Sequence, residues 1–349
     1  GDGLIEKECT SVTPEMVKKE LPENTIVWSW DYSDYNKKSI KNRILEMKKH
    51  ADNMGFSGSS WKIASYAPNN EFSILRLINQ IDACKELDVD RFMVTLWGDN
   101  GMPTSMYSVL PSLFVAGEHN QNYPVKGNKL NKAKFKEITG VSYNDFLSLD
   151  YMNNPFKRHL EKDHNPNGEA FLIFFTDLII GNYDMLLTPG VKNEYHKLSL
   201  KFKRIAKQND TFAHLFTMMS NMANVISLKC ELGVELRKAY EENNIVVLER
   251  IANIDMNKLI KAMDKFNVEF DKYWLHEYQP LGIEMNQHWH AHMAYRYRYI
   301  KERLLNYLKT GEPIQELANG TLPPCFVPPI SEDHCLLNWH QWLMSYNMK

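Results

Sequence analysis

Cysteine is scarce in this sequence, and its spacing is less informative than its scatter. The five cysteines, Cys9, Cys84, Cys230, Cys325 and Cys335, are an odd set with no CxxC pair among them. They argue against a disulfide framework and a cysteine zinc site, and favour a reducing compartment, read here as the cytoplasm. Long apolar runs are missing too. Ala170–Ile180 is the nearest, about half the ~20 residues that a membrane-spanning helix requires, so no membrane partner is expected. Charge of one sign is also lacking: the net charge is −2 with histidines neutral, which gives no electrostatic reason to expect nucleic acid or an anionic membrane as partner. There is no low-complexity segment and no repeat at solenoid spacing. The chain opens Gly1-Asp2-Gly3, without initiator Met or signal peptide, and reads as a start in mid-protein. Asn209-Asp-Thr and Asn319-Gly-Thr match the glycosylation pattern and are read as chance.

Aromatic side chains are plentiful, with eight Trp and seventeen Tyr, and their placement follows the chain's periodicity. Residues 25–117 repeat an apolar run, a polar turn and an amphipathic helix three times. The predicted strands are Thr25–Trp30, Met54–Gly58 and Arg91–Trp97, and the predicted helices Lys38–Asn53, Phe72–Leu87 and Thr104–Ala116. Strands that alternate with helices imply parallel βαβ units. From about Tyr123 onward helical periodicity dominates, at Phe146–Met152, Ala170–Tyr183, Tyr195–Ala206, Phe212–Asn243, Val246–Ile254, Met256–Trp274 and Trp289–Thr310. A short helix after Thr13-Pro14 is expected, since Pro suits a first helical position. The Pro-rich tail Pro323–Lys349 is expected to lie along the helices.

Each strand ends on aromatic and acidic residues: Trp28-Ser-Trp30-Asp31-Tyr32, then Trp61, then Trp97-Gly-Asp99-Asn100. Strand C-termini form the active-site face of a (β/α)8 barrel. Aromatic faces that stack on a sugar's C–H side, with carboxylates for its hydroxyls, make a carbohydrate site. One such tryptophan alone is as readily cap packing; three clusters on consecutive strands favour function.

These residues resemble glycoside hydrolase family 20, in the bacterial exo-β-hexosaminidase branch that carries an added C-terminal helical domain. Phe92–Leu113 resembles that family's last barrel strand and following helix. Leu21–Tyr32 is similar to its "LP…VWDY" strand, and Phe56–Pro68 to its "FAGG.WTW.GFAP" segment. Asn165–Asp184 is similar to "NPSKY.LYNDPLLGLFD" and Trp274–Glu284 to "W..ENKPFGFE". The matches run in order along nearly the whole chain. The resemblance implies an α/β plus all-α architecture: the last strands of a (β/α)8 TIM-type barrel in residues 1–120, then a C-terminal helical domain in 121–349. It also implies removal of terminal N-acetylglucosamine or N-acetylgalactosamine by substrate-assisted retaining hydrolysis, without a cofactor or metal.

Carried over by position, Trp30, Trp61 and Trp97 are candidates to box the acetamide methyl. Tyr32 is a candidate for its oxygen, and Asp31 and Asp99 for the sugar hydroxyls. The family's catalytic Asp-Glu pair would precede Leu21 and has no counterpart here. Glu241-Glu242 and Glu332-Asp333 read as solvated charge. No catalytic residue is therefore expected in this chain, and the first half of the barrel is its expected partner. Three βα units leave open parallel edges, so solubility without that half is expected to be poor. Ile63, Gly58-Ser59 and Met102-Pro103 depart from the family pattern, which opens a second reading as an inactive carbohydrate-binding relative.

Three other features have plainer readings. His288-Trp-His290-Ala-His292 puts His288 and His292 one helical turn apart, but lacks the glutamate beside the first His; a polar helix face is preferred to a metal site. Cys84 reads as a buried small hydrophobe. Tyr295-Arg-Tyr297-Arg298-Tyr alternates rings and cations around a whole helix circumference, as packing and surface charge do, not as a nucleic-acid stripe does.

Overall fold

The computed structural model describes residues 13–22, 24–63, 65–98, 101, 103–123, 130–157, 169–181, 183–184 and 187–318. The chain divides into two compact units. One comprises 1–61, 70–97 and 109–131, the other 62–69, 98–108 and 132–349.

The first unit opens with α1 (Pro14–Glu20), where Thr13 Oγ1 accepts the Met16 N–H at 3.3 Å. It continues through β1 (Val27–Trp30), α2 (Lys37–His50), β2 (Met54–Ser59), α3 (Asn70–Glu86), β3 (Arg91–Thr95) and α4 (Leu110–Gln121). The strands form one parallel sheet in the order β1-β2-β3. Trp28 stands opposite Gly55 and Trp30 opposite Ser57, while Phe56 stands opposite Phe92. Side chains alternate across a strand, so one face carries Met54, Phe56, Phe92 and Val94. Ile40 and Ile44 of α2 pack with Ala83 and Cys84 of α3 on Met54 and Phe56. Leu77 and Ile81 of α3 and Ala116 of α4 cover Phe92 and Val94. Each fully buried Ile or Phe contributes about 1.5–3 kcal/mol. The opposite face carries Trp28, Trp30 and Met93, all exposed. Gly55 is required there because a Cβ would stand 2.7 Å from the Trp28 ring that lies over it.

The second unit is helical: α5 (Lys132–Thr139), α6 (Tyr143–Leu147), α7 (Glu169–Phe175), α8 (Val191–Ala206), α9 (Ala213–Lys229), α10 (Leu232–Glu241), α11 (Ile245–Arg250), α12 (Met256–Glu277), α13 (Ile283–Thr310) and α14 (Gln315–Ala318). A π turn, Ile251–Asp255, joins α11 to α12. Helix α9 is buried around most of its circumference, from Leu215 to Lys229, and forms the unit's centre between α8 and α12.

Several elements differ from their sequence pattern. The helix expected over Ala170–Tyr183 stops at Phe175, where the Lys229 amine captures the Phe174 and Thr176 carbonyls. Asp177 Oδ1 then accepts the Ile179 and Ile180 N–H groups and turns the chain. The single helix expected over Phe212–Asn243 is two, broken at Cys230-Glu231. Close by, Gly233 admits the Leu178 carbonyl, 2.9 Å from where a Cβ would be. Helix α13 starts at Ile283 rather than Trp289, because Asn286 and His290, polar in sequence, face the core. The helix expected from Thr104 is a 3-10 turn, Met106–Val109, followed by α4 with Pro111 in its first turn. Asn209 caps the turn before α9 by accepting the Phe212 N–H at 2.8 Å, a structural use of that sequon. Asn319 and the tail Pro323–Lys349 lie outside the described residues.

Candidate functional site

The aromatic residues at the strand ends divide into an exposed group and a buried one. Trp30 closes β1 at 56% exposure and Trp97 follows β3 at 47%. Tyr32 joins them, its ring centre 5.2 Å from Trp30 and 6.0 Å from Trp97. Three rings from two strand ends thus make one accessible apolar surface on the first unit. Large rings left open to water at such a place suit a flat ligand with one apolar face.

Asp31 and Trp61 serve the structure beneath. Asp31 is 4% exposed. Its Oδ1 accepts the Ser33 and Asp34 N–H groups, both at 3.0 Å, and Arg43 pairs with Oδ2 at 2.8 Å. Its carbonyl takes the Gln80 amide at 2.9 Å. These bonds fix the turn that presents Tyr32, and they occupy the carboxylate that the sequence offered to sugar hydroxyls. Trp61 is 4% exposed and packs on Phe72 at 5.0 Å, its backbone N–H donating to Ser73 Oγ at 2.7 Å. Asp99 lies outside the described residues. Arg43 and Gln80, which hold Asp31, gave no signal in sequence because they reach it from α2 and α3 only once the chain is folded.

The motif-like segments of the helical unit also have structural employment. Asp177 pairs with Arg296 at 2.7 Å, and Arg296, desolvation notwithstanding, holds its carboxyl below the usual range. Asp184 pairs with Arg237, while burial raises its pKa. Lys229, fully buried, gives its amine to the Phe174 and Thr176 carbonyls at 2.6 Å each, and burial pushes its pKa down to about 7. His290 shares a 2.6 Å hydrogen bond with the Tyr66 hydroxyl inside a cage of Phe174, Phe266 and Phe270, and burial depresses its pKa to about 3. It is therefore a neutral core residue, not part of a polar helix face. Among the described residues no group of three or more His, Cys, Asp or Glu side chains could hold a metal ion. Cys84 is buried and its thiol is pushed up to about 12. In the Tyr295–Tyr299 run, Tyr297 is buried, Tyr295 exposed, and Arg298 paired with Asp264. Glu241 and Glu242 are exposed.

The family model of the Glycoside Hydrolase 20C C-terminal domain matches residues 144–332, more than half of the chain. The chain belongs to glycoside hydrolase family 20, of which it contains the C-terminal part. No curated protein matches it. Among the described residues no helix is long and apolar enough to cross a membrane.

Proposed function

We propose that this chain is the C-terminal portion of an exo-β-N-acetylhexosaminidase-type glycosidase, and that Trp30, Tyr32 and Trp97 form its sugar-holding surface. The observation that carries the reading is the exposed three-ring cluster at the C-terminal ends of a parallel sheet, in a chain of family 20. Asp99, next but one to Trp97, is assigned the sugar hydroxyls. Asp31 holds the turn that carries Tyr32, and Trp61 is buried against Phe72. The reaction is substrate-assisted retaining hydrolysis, in which the sugar's acetamide attacks its own anomeric carbon. The polarising and protonating Asp-Glu pair lies outside this chain.

The sheet supports the assignment to a (β/α)8 barrel. Its Trp28–Trp30–Met93 face is exposed, and among the described residues no strand pairs with the outer edge of β1 or of β3, whereas parallel sheets are ordinarily covered on both faces. Further strands of the same barrel are the partner that this face and these edges fit. Residues 1–120 would belong to that barrel and 121–349 to the helical domain. Two buried free cysteines, Cys84 and Cys230, accord with a cytoplasmic setting.

Hydrolysis of a nitrophenyl N-acetyl-β-glucosaminide by the complete parent polypeptide tests the reading. Trp97→Ala should abolish most of the turnover, and an inactive, well-folded parent would sink it. The departures at Ile63 and Pro103 favour a second reading, a relative that binds such sugars without cleaving them. Calorimetric binding of N-acetylglucosamine without turnover would select it.

A further inference from the structure

The segment that follows Trp97 runs through the helical unit, and its polar groups are taken up by side chains from one short stretch of chain. Asn286 Nδ2 donates to the Gly101 carbonyl at 2.8 Å. The Tyr273 hydroxyl donates to the Pro103 carbonyl at 3.2 Å, and the Tyr278 hydroxyl to the Thr104 carbonyl at 2.7 Å. Glu277 takes the rest: its carboxylate accepts the Ser105 hydroxyl at 2.6 Å and 2.8 Å and the Met106 N–H at 3.1 Å. His214 Nε2 lies 2.9 Å from Glu277 Oε1, and the His276 ring packs tilted against His214 with centres 3.9 Å apart. Ser105 in turn accepts the Tyr107 N–H at 3.1 Å. Gly101 adopts φ +74°, open to glycine at little cost, and a Cβ there would stand 3.2 Å from Asn286 Nδ2.

A carboxylate whose side chain is only 1% exposed is a costly way to fasten a loop. An apolar contact would stabilise as well. What a carboxylate adds is direction: several donors converge on two oxygens, so Ser105 and Met106 have one arrangement that satisfies them. We infer that Glu277 is a positioning residue, and that with Tyr273, Tyr278 and Asn286 it sets the backbone course of Gly101 and Pro103–Ser108. The inference rests on the function proposed above, in which Asp99, two residues before Gly101 in the chain, is assigned the sugar hydroxyls. It assigns a role to the WLHEYQPLGIE stretch that no part of the reaction chemistry requires.

Two variants of the full chain test it, Glu277→Gln and the milder Ser105→Ala, with two readouts. The first is amide hydrogen exchange; the second is calorimetric affinity for N-acetylglucosamine. A hydrogen bond to a charged group is worth a factor of about ten or more. In Glu277→Gln the Met106 amide should exchange at least about tenfold faster, while α9 keeps its protection, and the sugar Kd should rise about tenfold. Ser105→Ala should move both in the same direction by less. If Glu277→Gln does not fold, Ser105→Ala carries the same two readouts. A Met106 amide that stays protected overturns the inference, and so does a loosened segment with unchanged Kd. A wild-type chain that takes up no sugar, while Met106 is still freed in Glu277→Gln, overturns the proposed function and leaves Glu277 a structural clamp only.

Discussion

Replacing Lys229 with Met removes from the helical unit an amine whose pKa burial has driven from 10.5 to about 7. Above that pH the folded chain holds a neutral amine, and its two N–H groups match the two carbonyls they reach, Phe174 and Thr176. The unfolded chain keeps the same amine protonated up to about pH 10. The unfolded state thus binds more protons across this interval, and stability rises with pH there. Below the folded pKa both states are protonated and the gain is gone. The limiting slope is about 1.4 kcal/mol per pH unit. Between about pH 7 and about pH 8.5 Lys229 should therefore add roughly 1.5 kcal/mol. The charged groups nearby, Asp177 and Asp184, are paired with Arg296 and Arg237. The Cys84 and Cys230 thiols, pushed up to about 12 chiefly by burial, pull the other way as pH rises, in wild type and variant alike. Urea denaturation followed by tryptophan fluorescence, at several pH values in that interval, measures the difference directly. Lys229→Met should show a flatter pH dependence than wild type, with the gap growing by roughly 1.5 kcal/mol. Parallel curves would refute the neutral-amine account.

Acid should act through His290. Its folded pKa of about 3 lies below the ordinary 6.5, so its stability contribution is present above about pH 6.5 and is lost as pH falls toward 3; His290→Phe should flatten the acid limb of a Tm-against-pH profile. Gly55→Val would drive a side chain into the Trp28 ring and should cost about 1–3 kcal/mol, seen in thermal melts with a shifted tryptophan emission. Trp97→Ala and Trp61→Ala should separate: the exposed ring's loss should cost less than about 1 kcal/mol and weaken sugar binding, whereas the buried ring's loss should cost about 3–5 kcal/mol. Equal destabilisation by the two would contradict the division into a presenting ring and a supporting one.

The three βα units were legible because each strand is short and flanked by polar turns, and the helices α2, α3 and α4 that follow the strands each carry buried apolar residues. Their faces were less so. Trp28, Trp30 and Trp61 read alike in sequence, yet two lie open and one is sealed on Phe72, a distinction made by contacts rather than by pattern. Helix ends were least legible where a distant side chain sets them. Nothing near Phe175 announces a stop, because the amine that captures its last carbonyls belongs to Lys229, more than fifty residues on. Asp31 reads as a free carboxylate for the same reason: Arg43 and Gln80 reach it only after folding.

The same contrast explains why family membership is plainer than activity in this chain. The family match spans 144–332, and the residues there that resemble the family's motifs are scaffold. Asp177 and Asp184 anchor α13 and α10 through Arg296 and Arg237, and Glu277 and Tyr278 fasten the segment at Pro103–Met106. The Asp177 and Glu277 carboxylates are buried groups whose partners must all be present at once, so their replacement leaves an unsatisfied group worth about 1–3 kcal/mol, while the half-buried Asp184 and Tyr278 add less. Such positions identify a fold through its fastenings. In the function proposed above, sugar contact falls instead to the Trp30 and Trp97 rings, open to water, and to the half-buried Tyr32, where replacement costs the fold little. Substitutions at those three rings should change what the chain binds while its melting point hardly moves; substitution of Asp177 should lower the melting point before any ligand is added, and Glu277→Gln should lower it and weaken binding together.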